Sequence, residues 1–533
     1  MQDDGAEATV VLGRPPSLDD LLAAGLGGPW PDEATLPGGP PQPAPPLRGR
    51  VLAAADRGDS DLDAFLAEPR LAQQLAAWFG PALPRDRRRL LALLDRDIAA
   101  IDQALREQVD AILQAPRLQR LEASWRGLIW LIGRADEADR VKLKVLTATW
   151  AEVCRDLERA IEFDQSAMFE KIHNEGFGIA GGEPFGVLLC DYAVQHRRTP
   201  DHPTDDVTAL AAFAQVAAAA FAPAIFGCTP RLLGLDDFDD LALGVNLAST
   251  FQEQEYLRWR RLQESEDARF IGVVLPRVLA RLPYGDAGAG RIDGFRFREA
   301  RAVPDAADFL WGNAVYAFGS VLIRAFQQYS WFADIRGAQR DQVGGGLVDG
   351  LPVAAFPTDR PGVALRFSTE VAISDRQEQD LSDLGFIPLS RAKDTPYCVF
   401  YSNASLQRPR NYDRSIAAAN AKLSSMLQYV MCVARFAHFI KVMGRDRIGM
   451  FATAEDCETF FARWLQNYLL GNDDASPEQK ARYPLREGNV QVRDLPGKPG
   501  HYAMTIHLRP HFQLDQVVSA FKLVTELNPG AAA

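Results

Sequence analysis

Gly176, Gly178 and Gly181 have the G-x-G-x-x-G spacing of a dinucleotide-binding loop. In such a loop a strand comes before the glycines and a helix comes after them, so that the phosphates meet the N-terminus of that helix. Here a helix-like segment precedes the glycines, and Pro184 and an apolar, strand-like run follow them. Because the order is reversed, the sequence argues against a dinucleotide site.

A second glycine pair, Gly444 and Gly449, has the spacing of a P-loop. A P-loop needs Lys and then Ser or Thr directly after its last glycine, because these side chains hold the phosphates and Mg²⁺. Met450 and Phe451 stand at those positions. The groups that would grip a nucleotide are therefore missing.

The metal-ligating residue types are present without the spacing that a metal site needs. His507 and His511 are four residues apart, but Pro510 separates them at the exit of a predicted strand, so they do not share a helix face. The acidic run Asp236–Asp240 lacks the alternating order of a calcium loop, and the six cysteines form no C-x-x-C pair. We therefore predict a protein without cofactor or metal that is not an enzyme.

Length and charge narrow the class of protein further. The chain has 533 residues and a net charge of −12, which predicts roughly three to four domains and argues against nucleic-acid binding. Asp3 and Asp4 occupy positions where a signal peptide would be basic. The longest apolar stretch, 210–226, is interrupted by Gln215 and Pro223, which favours a buried helix over a membrane span. We expect a cytoplasmic protein without direct membrane insertion.

Residues 1–60 are rich in proline and glycine and are predicted to form a mobile N-terminal arm. Within the arm, Ser17–Ala24 has a capping serine and an apolar stripe, formed by Leu18, Leu21 and Leu22. A two-turn helix is unstable alone in water. The segment is therefore either a helix that a partner recognises or an incidental capped turn.

Residues 61–116 are predicted to be a helical partner-docking region. Apolar residues recur there at steps of three and four between charged ones, a spacing typical of a long amphipathic helix with coiled-coil character. The stripe consists of Leu91, Leu94, Ile98, Ile101, Leu105, Val109 and Ile112. It either packs on its own domain or forms a seam for a partner's helix.

The rest of the chain mixes helical and strand patterns, which predicts an α/β (mixed α+β) fold in two domains, 117–355 and 356–533. Alternation over Val141–Leu146 predicts a half-buried strand, and the continuous apolar run Phe185–Cys190 predicts a buried one. Further strands are predicted near 369–373 and 397–401. Helices are predicted over 206–221, 252–264, 308–326 and 417–442.

The C-terminal region reads as a hairpin of two strands, Val490–Arg493 and Tyr502–Leu508, joined by a proline- and glycine-rich turn. Two strands alone are only marginally stable. We therefore expect strands from elsewhere, including other chains, to complete the hairpin. The predicted inter-subunit strand residues are Val490, Val492, Met504, Ile506 and Leu508.

A series of blocks across residues 117–527 resembles one protein family, in that family's order. The family is the large subunit of the contractile sheath of type VI secretion systems (TssC, also called VipB). The blocks are Leu121–Leu128, Glu264–Arg269, Leu275–Gly285, Phe309–Asn313, Asp334–Gly337, Gly345–Pro352, Thr369–Arg376, Leu381–Pro388, Arg435–Lys441 and Leu508–Gln513.

This resemblance implies a structural role and a set of partners. Such large subunits pair with a small sheath subunit (TssB/VipA) and stack with neighbouring protomers around a tube of Hcp, which contraction drives outward from the baseplate. Arms of neighbouring subunits complete the C-terminal strands, and an AAA+ unfoldase (ClpV) dismantles the spent sheath. The helix Leu91–Ile112 is then the candidate for pairing with the small subunit, and Ser17–Ala24 the candidate for recognition by the unfoldase.

The first 116 residues depart from the family pattern. The proline-rich arm and the segment 62–79 look longer and different from a typical member. Two interpretations follow. The chain is either a regular sheath subunit or a TssC-like accessory protein that binds sheath components without polymerising.

Overall fold

The computed structural model describes residues in an almost continuous range from Leu47 to Leu527. The described residues are 47–52, 60–135, 141–179, 181–285, 295, 297–299, 309–338, 343–357, 364–392, 395, 397–410, 412–447, 453–472, 474–495, 502–511 and 521–527. The chain forms two compact units, Met1–Ala104 and Leu105–Ala533. The four regions predicted from the sequence stay a prediction.

Helices occur throughout the described part of the chain. The α-helices are α1 (Leu47–Leu52), α2 (Ser60–Ala67), α3 (Leu71–Phe79), α4 (Arg87–Leu113), α5 (Pro116–Ile132), α6 (Trp150–Arg159), α7 (Ala167–Phe169), α8 (Asp206–Ala220), α9 (Leu247–Thr250), α10 (Leu257–Glu264), α11 (Val315–Tyr329), α12 (Asp375–Asp383), α13 (Ser415–Ser424), α14 (Leu427–Asp446), α15 (Ala454–Gln466) and α16 (Pro477–Arg482). A π-helix covers Glu170–Gly178. None of the described helices is both long and apolar enough to cross a membrane.

Strands form one large sheet and several small ones. The strands are β1 (Leu188–Val194), β2 (Ala224–Cys228), β3 (Ile271–Leu275), β4 (Val278–Arg281), β5 (Leu310–Gly312), β6 (Leu347–Val348), β7 (Ala354–Pro357), β8 (Ala364–Phe367), β9 (Ile387–Arg391), β10 (Cys398–Phe400), β11 (Leu485–Asp494), β12 (Tyr502–Pro510) and β13 (Phe521–Leu527). The α/β class predicted from the sequence is confirmed.

The six-stranded central sheet has the order β1-β2-β3-β9-β10-β6. Its first four strands run parallel, and β10 pairs antiparallel with both β9 and β6. Every residue of β2 and β3 is buried. Phe226 packs in the core on one face, where its ring lies 5.4 Å from that of Phe213 on α8, while Ile225 joins the opposite core with Phe318 on α11. Because both faces are covered, the strands read as continuous apolar runs.

The C-terminal region builds a third core around α14, α15 and a three-stranded sheet of order β11-β12-β13. Both ladders of this sheet are antiparallel, so β12 is the central strand. Phe436 on α14 and Phe461 on α15 are buried against the sheet, and Trp331 stacks on Phe436 with ring centroids 4.3 Å apart. The predicted hairpin is confirmed, with both strands longer than expected.

The unit Met1–Ala104 has its own small core. Trp78 and Phe79 of α3 pack with Leu47 of α1 and with Leu94 and Ile101 of α4. A buried carboxylate fixes these helices to one another: both oxygens of Asp97 accept from Arg48, at 2.6 and 2.7 Å, and one also accepts from the indole of Trp78 at 3.0 Å. The hydrogen bonds from Arg48 lower the pKa of Asp97, which keeps the charge needed for this pairing.

Two strand predictions are wrong. Residues 141–149 belong to no helix or strand. The segment 369–373 contains only an isolated bridge between Thr369 and Val278, because β8 ends at Phe367.

Three helix predictions have wrong bounds. The helix predicted from 252 begins at Leu257, because a short 3-10 helix, Gln254–Tyr256, precedes it. The helix predicted from 308 begins at Val315, since Leu310–Gly312 pairs with β4. The helix predicted over 417–442 is two helices, α13 and α14. Met426 bridges to Ala404 and the amide of Leu427 donates to Asn403, so hydrogen bonds from a distant segment interrupt the helix.

Candidate assembly surfaces

The glycine loop has the order inferred from the sequence: Gly176 and Gly178 lie at the end of the π-helix, and β1 follows after Pro184. A Cβ on Gly182 would lie 2.6 Å from the carbonyl oxygen of Gly176, so the loop folds tightly on itself. Arg445 of α14 donates to the carbonyls of Phe177 and Ile179, at 3.3 and 3.1 Å. These contacts give the loop a role in packing two segments of the chain together.

The cysteines are free and buried, all six of them. Burial raises the pKa of the thiols of Cys154 and Cys432 to about 12, so they stay protonated and unreactive at neutral pH. In the described part of the chain, no group of three or more His, Cys, Asp or Glu side chains could hold a metal ion.

A buried aspartate ties several loops to the start of α8. The carboxylate of Asp206 accepts from the Trp150 indole at 2.7 Å, the Gln195 amide at 2.9 Å and the Thr204 hydroxyl at 2.7 Å. Nε2 of His202 lies 2.7 Å from one of its oxygens. With four partners, the carboxylate is saturated, and the cluster acts as a structural anchor beside β1.

A second buried carboxylate joins the start of β4 to the segment after β8. Arg277 makes a bidentate pair with Glu370, one arm of which measures 2.7 Å. Burial raises the pKa of Glu370 to about 7, although Arg277 opposes the shift. This pair holds the connection between the central sheet and the following segment, where the amide of Leu279 also donates to Ser368.

The seven residues of the predicted docking helix fall on different faces of α4. Leu94 and Ile101 pack into the core of the N-terminal unit, and Val109 is half-buried. The remaining four, spaced seven residues apart, are exposed; we call Leu91, Ile98, Leu105 and Ile112 the heptad stripe. Their exposed fractions lie between 40% and 56%. The stripe supplies one of the two apolar positions per heptad that a coiled-coil seam uses.

The five predicted inter-subunit residues of the C-terminal hairpin all point into the chain's own core. Val490 pairs with Ile506 and Val492 with Met504 in the β11–β12 ladder, and all five side chains are buried against α14 and α15. What this sheet can offer to another chain is therefore backbone at its edges.

The outer edge of β11 is partly occupied. At the start of β11, the backbone amide of Leu485 donates to the carbonyl of Tyr468. The carbonyl of Leu485 accepts from the backbone amide of Leu470. Farther along, the amide of Val492 donates to the carboxylate of Glu458 on α15 at 2.9 Å. On the other side of β12, β13 of the same chain pairs with the strand from Tyr502 to Leu508.

Leu18, Leu21 and Leu22 lie outside the described residues, so their predicted recognition helix stays a prediction. The sequence reasoning also missed an exposed apolar stripe on α5, formed by Leu121, Trp125, Ile129 and Ile132. Their spacing of four, four and three residues could have revealed it. Sequence reasoning also missed Asp206 and Glu370, because the Trp150 indole and the Arg277 guanidinium that bind them come from distant segments.

The chain is similar to known proteins of one family. Residues 95–407 match the VipB family, described as EvpB/VC_A0108, tail sheath N-terminal domain. Residues 416–527 match the second VipB family, described as EvpB/VC_A0108, tail sheath gpW/gp25-like domain. The type VI secretion system sheath protein TssC1 of Pseudomonas aeruginosa is 38% identical over 433 residues, which cover 81% of this chain and 85% of that protein.

Proposed function

Because the chain belongs to the family of type VI secretion sheath large subunits, we propose that it pairs with a small sheath subunit of the TssB/VipA kind. The pairs polymerise with neighbouring protomers around a tube of Hcp, and contraction of this sheath on its baseplate ejects the tube. In this proposal the chain has no catalytic role, and its function depends on surfaces that bind other chains.

The observation that carries the proposal is the way in which β13 joins the C-terminal sheet. Antiparallel neighbours are normally joined by two to five residues, whereas residues 511–520 separate β12 from β13. A strand on a long connection can pair with β12 of its own chain or of a neighbour. Since the edge of β11 is partly capped by Glu458 and residues 468–470, we infer that a neighbour's strand takes the position of β13.

Such an exchange suits a contractile lattice. The buried residues of β11 and β12 keep the hairpin attached to its own subunit, while main-chain bonds to an exchanged strand hold neighbours together as the subunits move. Under this proposal Val490, Val492, Met504, Ile506 and Leu508 form the base on which the exchanged strand is held.

The heptad stripe is the proposed docking surface for a helix of the small subunit. Its four exposed apolar residues form a continuous apolar row on α4, and Asp95 and Arg96 beside it offer charges for pairing. The segment Ser17–Ala24, with Leu18, Leu21 and Leu22, is the proposed recognition element for a ClpV-type unfoldase.

The test is co-expression with the cognate small subunit followed by negative-stain electron microscopy of the purified complex. We expect tubules. Truncation before Phe521 should abolish the tubules but leave the heterodimer, because the buried hairpin remains. Tubules of normal length from the truncated chain would contradict strand exchange, and failure of the full chain to co-purify would contradict the function itself.

Docking through α4 is tested separately. Ile98→Lys together with Leu105→Lys should remove co-purification with the small subunit, because two charges would enter an apolar seam. Leu66→Lys on α2 is the matched control, since Leu66 is also exposed and lies off the stripe. Equal binding by the double variant and the control would contradict this role for α4.

A second candidate function is favoured by the N-terminal residues. The family matches begin at residue 95, so α1, α2 and α3 lie outside them. An accessory TssC-like protein that binds sheath components without polymerising would use such an added unit to block or redirect assembly. A stable heterodimer that forms no tubules, and that gains them when residues 1–86 are deleted, would favour this function.

A further inference from the structure

A cavity of about 340 Å³ lies between the two parts of the chain that match the two sheath families. Residues of the loop 333–338, after α11, form one wall. The other walls come from the first turn of α14, from α16, from Pro484 beside the start of β11, and from Pro510 and His511 at the end of β12. The volume falls within the ~300–1,000 Å³ that is typical of ligand sites, which occur preferentially at domain interfaces.

Gln428, on the first turn of α14, is a buried side chain with an unused hydrogen-bond acceptor. It lines the cavity, and only 4% of it is exposed. Its Nε2 donates to the carbonyl of Ala333 at 2.7 Å, whereas its Oε1 has no hydrogen-bond partner in the described part of the chain. Because a buried acceptor without a donor is destabilising, the cavity favours a ligand that carries an N–H group.

Two cations also line the cavity without a carboxylate partner. Both Arg336 and Lys480 are half-buried. Among the described residues, the one polar contact of the Arg336 side chain is with the sulfur of Met426, at 3.5 Å, and Lys480 forms no ion pair. Asp334 lies at the same cavity, but one of its oxygens accepts from the Gly345 amide at 2.9 Å. Two positive charges against one negative charge favour a ligand with a carboxylate.

The connection from β12 to β13 begins at the wall of this cavity. His511 lines the cavity, and its amide donates to the carbonyl of Pro484 at 2.9 Å. Residues 512–520 follow directly and lie outside the described residues. β13 then starts at Phe521, which pairs with Leu508 of β12. Both ends of the connection therefore lie at the same end of the sheet, beside the cavity.

The sequence of this connection supplies the groups that the cavity lacks. Asp515 is the only charged residue in 512–520, so it is the one source of a carboxylate there. It is four residues from His511, and an extended chain of that length spans up to about 14 Å. The main-chain amides of the same segment are donors for the unused oxygen of Gln428.

We propose that residues 512–520 of the same chain occupy this cavity, with the carboxylate of Asp515 between Arg336 and Lys480 and a main-chain amide of the segment bound to Gln428. The inference rests on the proposed function and deepens it. If β13 is exchanged between subunits, a connection anchored in its own subunit fixes the point at which the strand leaves that subunit. The anchor also joins the two sheath domains, since Arg336 lies in the first and Lys480 in the second.

A segment of another chain fits the cavity less well. Residues 512–520 are tethered at His511, which is part of the cavity wall, and a short flexible tether gives an effective concentration on the order of mM. An acidic segment of a neighbour or of the small subunit has to displace that local competitor. The connectivity of the chain therefore favours its own segment as the occupant.

Amide hydrogen exchange over 512–520 tests the inference in the heterodimer co-purified with the small subunit. We expect exchange at least about 100-fold slower than in a synthetic peptide of the same sequence, because a docked segment is held away from water. Exchange as fast as in the peptide, in a heterodimer that still assembles into tubules, would overturn the inference and leave the proposed function intact. Failure of the full chain to co-purify would instead overturn the proposed function.

Charge variants test the ion pairs. Asp515→Asn and Arg336→Gln should each speed exchange over 512–520 about tenfold, and the double variant should exchange no faster than Asp515→Asn alone, because both changes remove the same pair. Arg376→Gln on α12 is the matched control, since Arg376 is exposed and does not line the cavity. It should leave the exchange unchanged. Effects that multiply in the double variant, or an equal effect of the control, would overturn the inference.

The assembly state distinguishes the chain's own segment from that of a neighbour. Protection supplied by the same chain should already be present in the heterodimer and should not change with its concentration. Protection over 512–520 that arises only in tubules would assign the cavity to a neighbour's segment and overturn the inference.

Discussion

The central six-stranded sheet and the C-terminal three-stranded sheet differ in how many of their faces are buried. In the central sheet β2 and β3 are buried on both faces, between two separate apolar cores. In the C-terminal sheet the alternation of buried and half-buried residues along β12 is regular, so one face carries the core. The central sheet is covered on both faces, whereas β13 of the C-terminal sheet is joined to β12 through residues 511–520, and we propose that a neighbour's strand takes its position.

The two sheets also differ in the number of hydrogen bonds made by the carboxylates beside them. Near the central sheet, Asp206 and Glu370 are buried carboxylates that bind Trp150 and Arg277, respectively, from distant segments. At the C-terminal sheet, Glu458 reaches a single edge amide from a half-buried position. We therefore expect the region around Asp206 to resist local unfolding more strongly than the edge of β11, which Glu458 holds by one hydrogen bond.

The largest effect should come from Asp206→Ala. Its removal leaves four hydrogen-bonding groups without their acceptor, which should lower the free energy of unfolding by about 3–5 kcal/mol. Urea unfolding measures the change, with the exposed Asp201→Asn as control. A loss below about 1 kcal/mol would mean that the central sheet does not depend on this anchor.

Ile506→Ala should have the next largest effect. Ile506 is fully buried between the C-terminal sheet and its helices, and the cavity should cost about 2–4 kcal/mol. If the two sheets are as different as proposed, faster hydrogen exchange should be confined to β11, β12 and β13. Equal acceleration in β2 and β3 would show that both sheets unfold as one.

The contribution of Glu370 to folding stability should be visible in how the free energy of unfolding changes with pH. Its pKa of about 7 lies above its ordinary value, so the folded state holds this proton more tightly than the unfolded state does. Its contribution to stability is full below about pH 4.5 and is lost as the pH rises through about 7, a fall of up to about 3 kcal/mol.

Glu370→Gln should flatten that part of the pH profile, because the amide does not titrate. Urea unfolding at a series of pH values between about 4 and 8 measures both proteins. An identical slope in the variant and the wild type would assign the pH dependence to other groups.

Glu458→Gln should have the smallest effect. The neutral amide keeps an acceptor for the Val492 amide but loses the charge, so stability should fall by about 1 kcal/mol or less. Exchange of the Val492 amide should quicken while the β12–β13 ladder stays protected. No change at Val492 would indicate that β11 is not capped by this side chain.

The sequence was most reliable where burial alone sets the pattern. The apolar run of β10, the buried helix α8 and the alternation of β11 and β12 were predictable, because each buried face has a fixed periodicity. The buried strand predicted over Phe185–Cys190 exists only from Leu188, and most of β1 is half-buried because it is an edge strand. The sequence failed at Met426, where the Leu427 amide donates to Asn403 and the Ser405 amide donates to Ser425, ending a helix that the local pattern would continue. It also failed at Val141–Leu146, whose alternation is real but whose backbone pairs with no strand in the described part of the chain.

The sequence by itself therefore determined the fold class, the family and the positions of the principal apolar faces. The tertiary structure alone decided which of those faces is covered: Leu94 and Ile101 are packed inward while Leu91, Ile98, Leu105 and Ile112 stay exposed, and the hairpin's apolar residues fill the chain's own core. The physical reason is that periodicity records that a side chain needs to be buried, whereas the identity of the surface that buries it depends on contacts between residues far apart in sequence or on another chain.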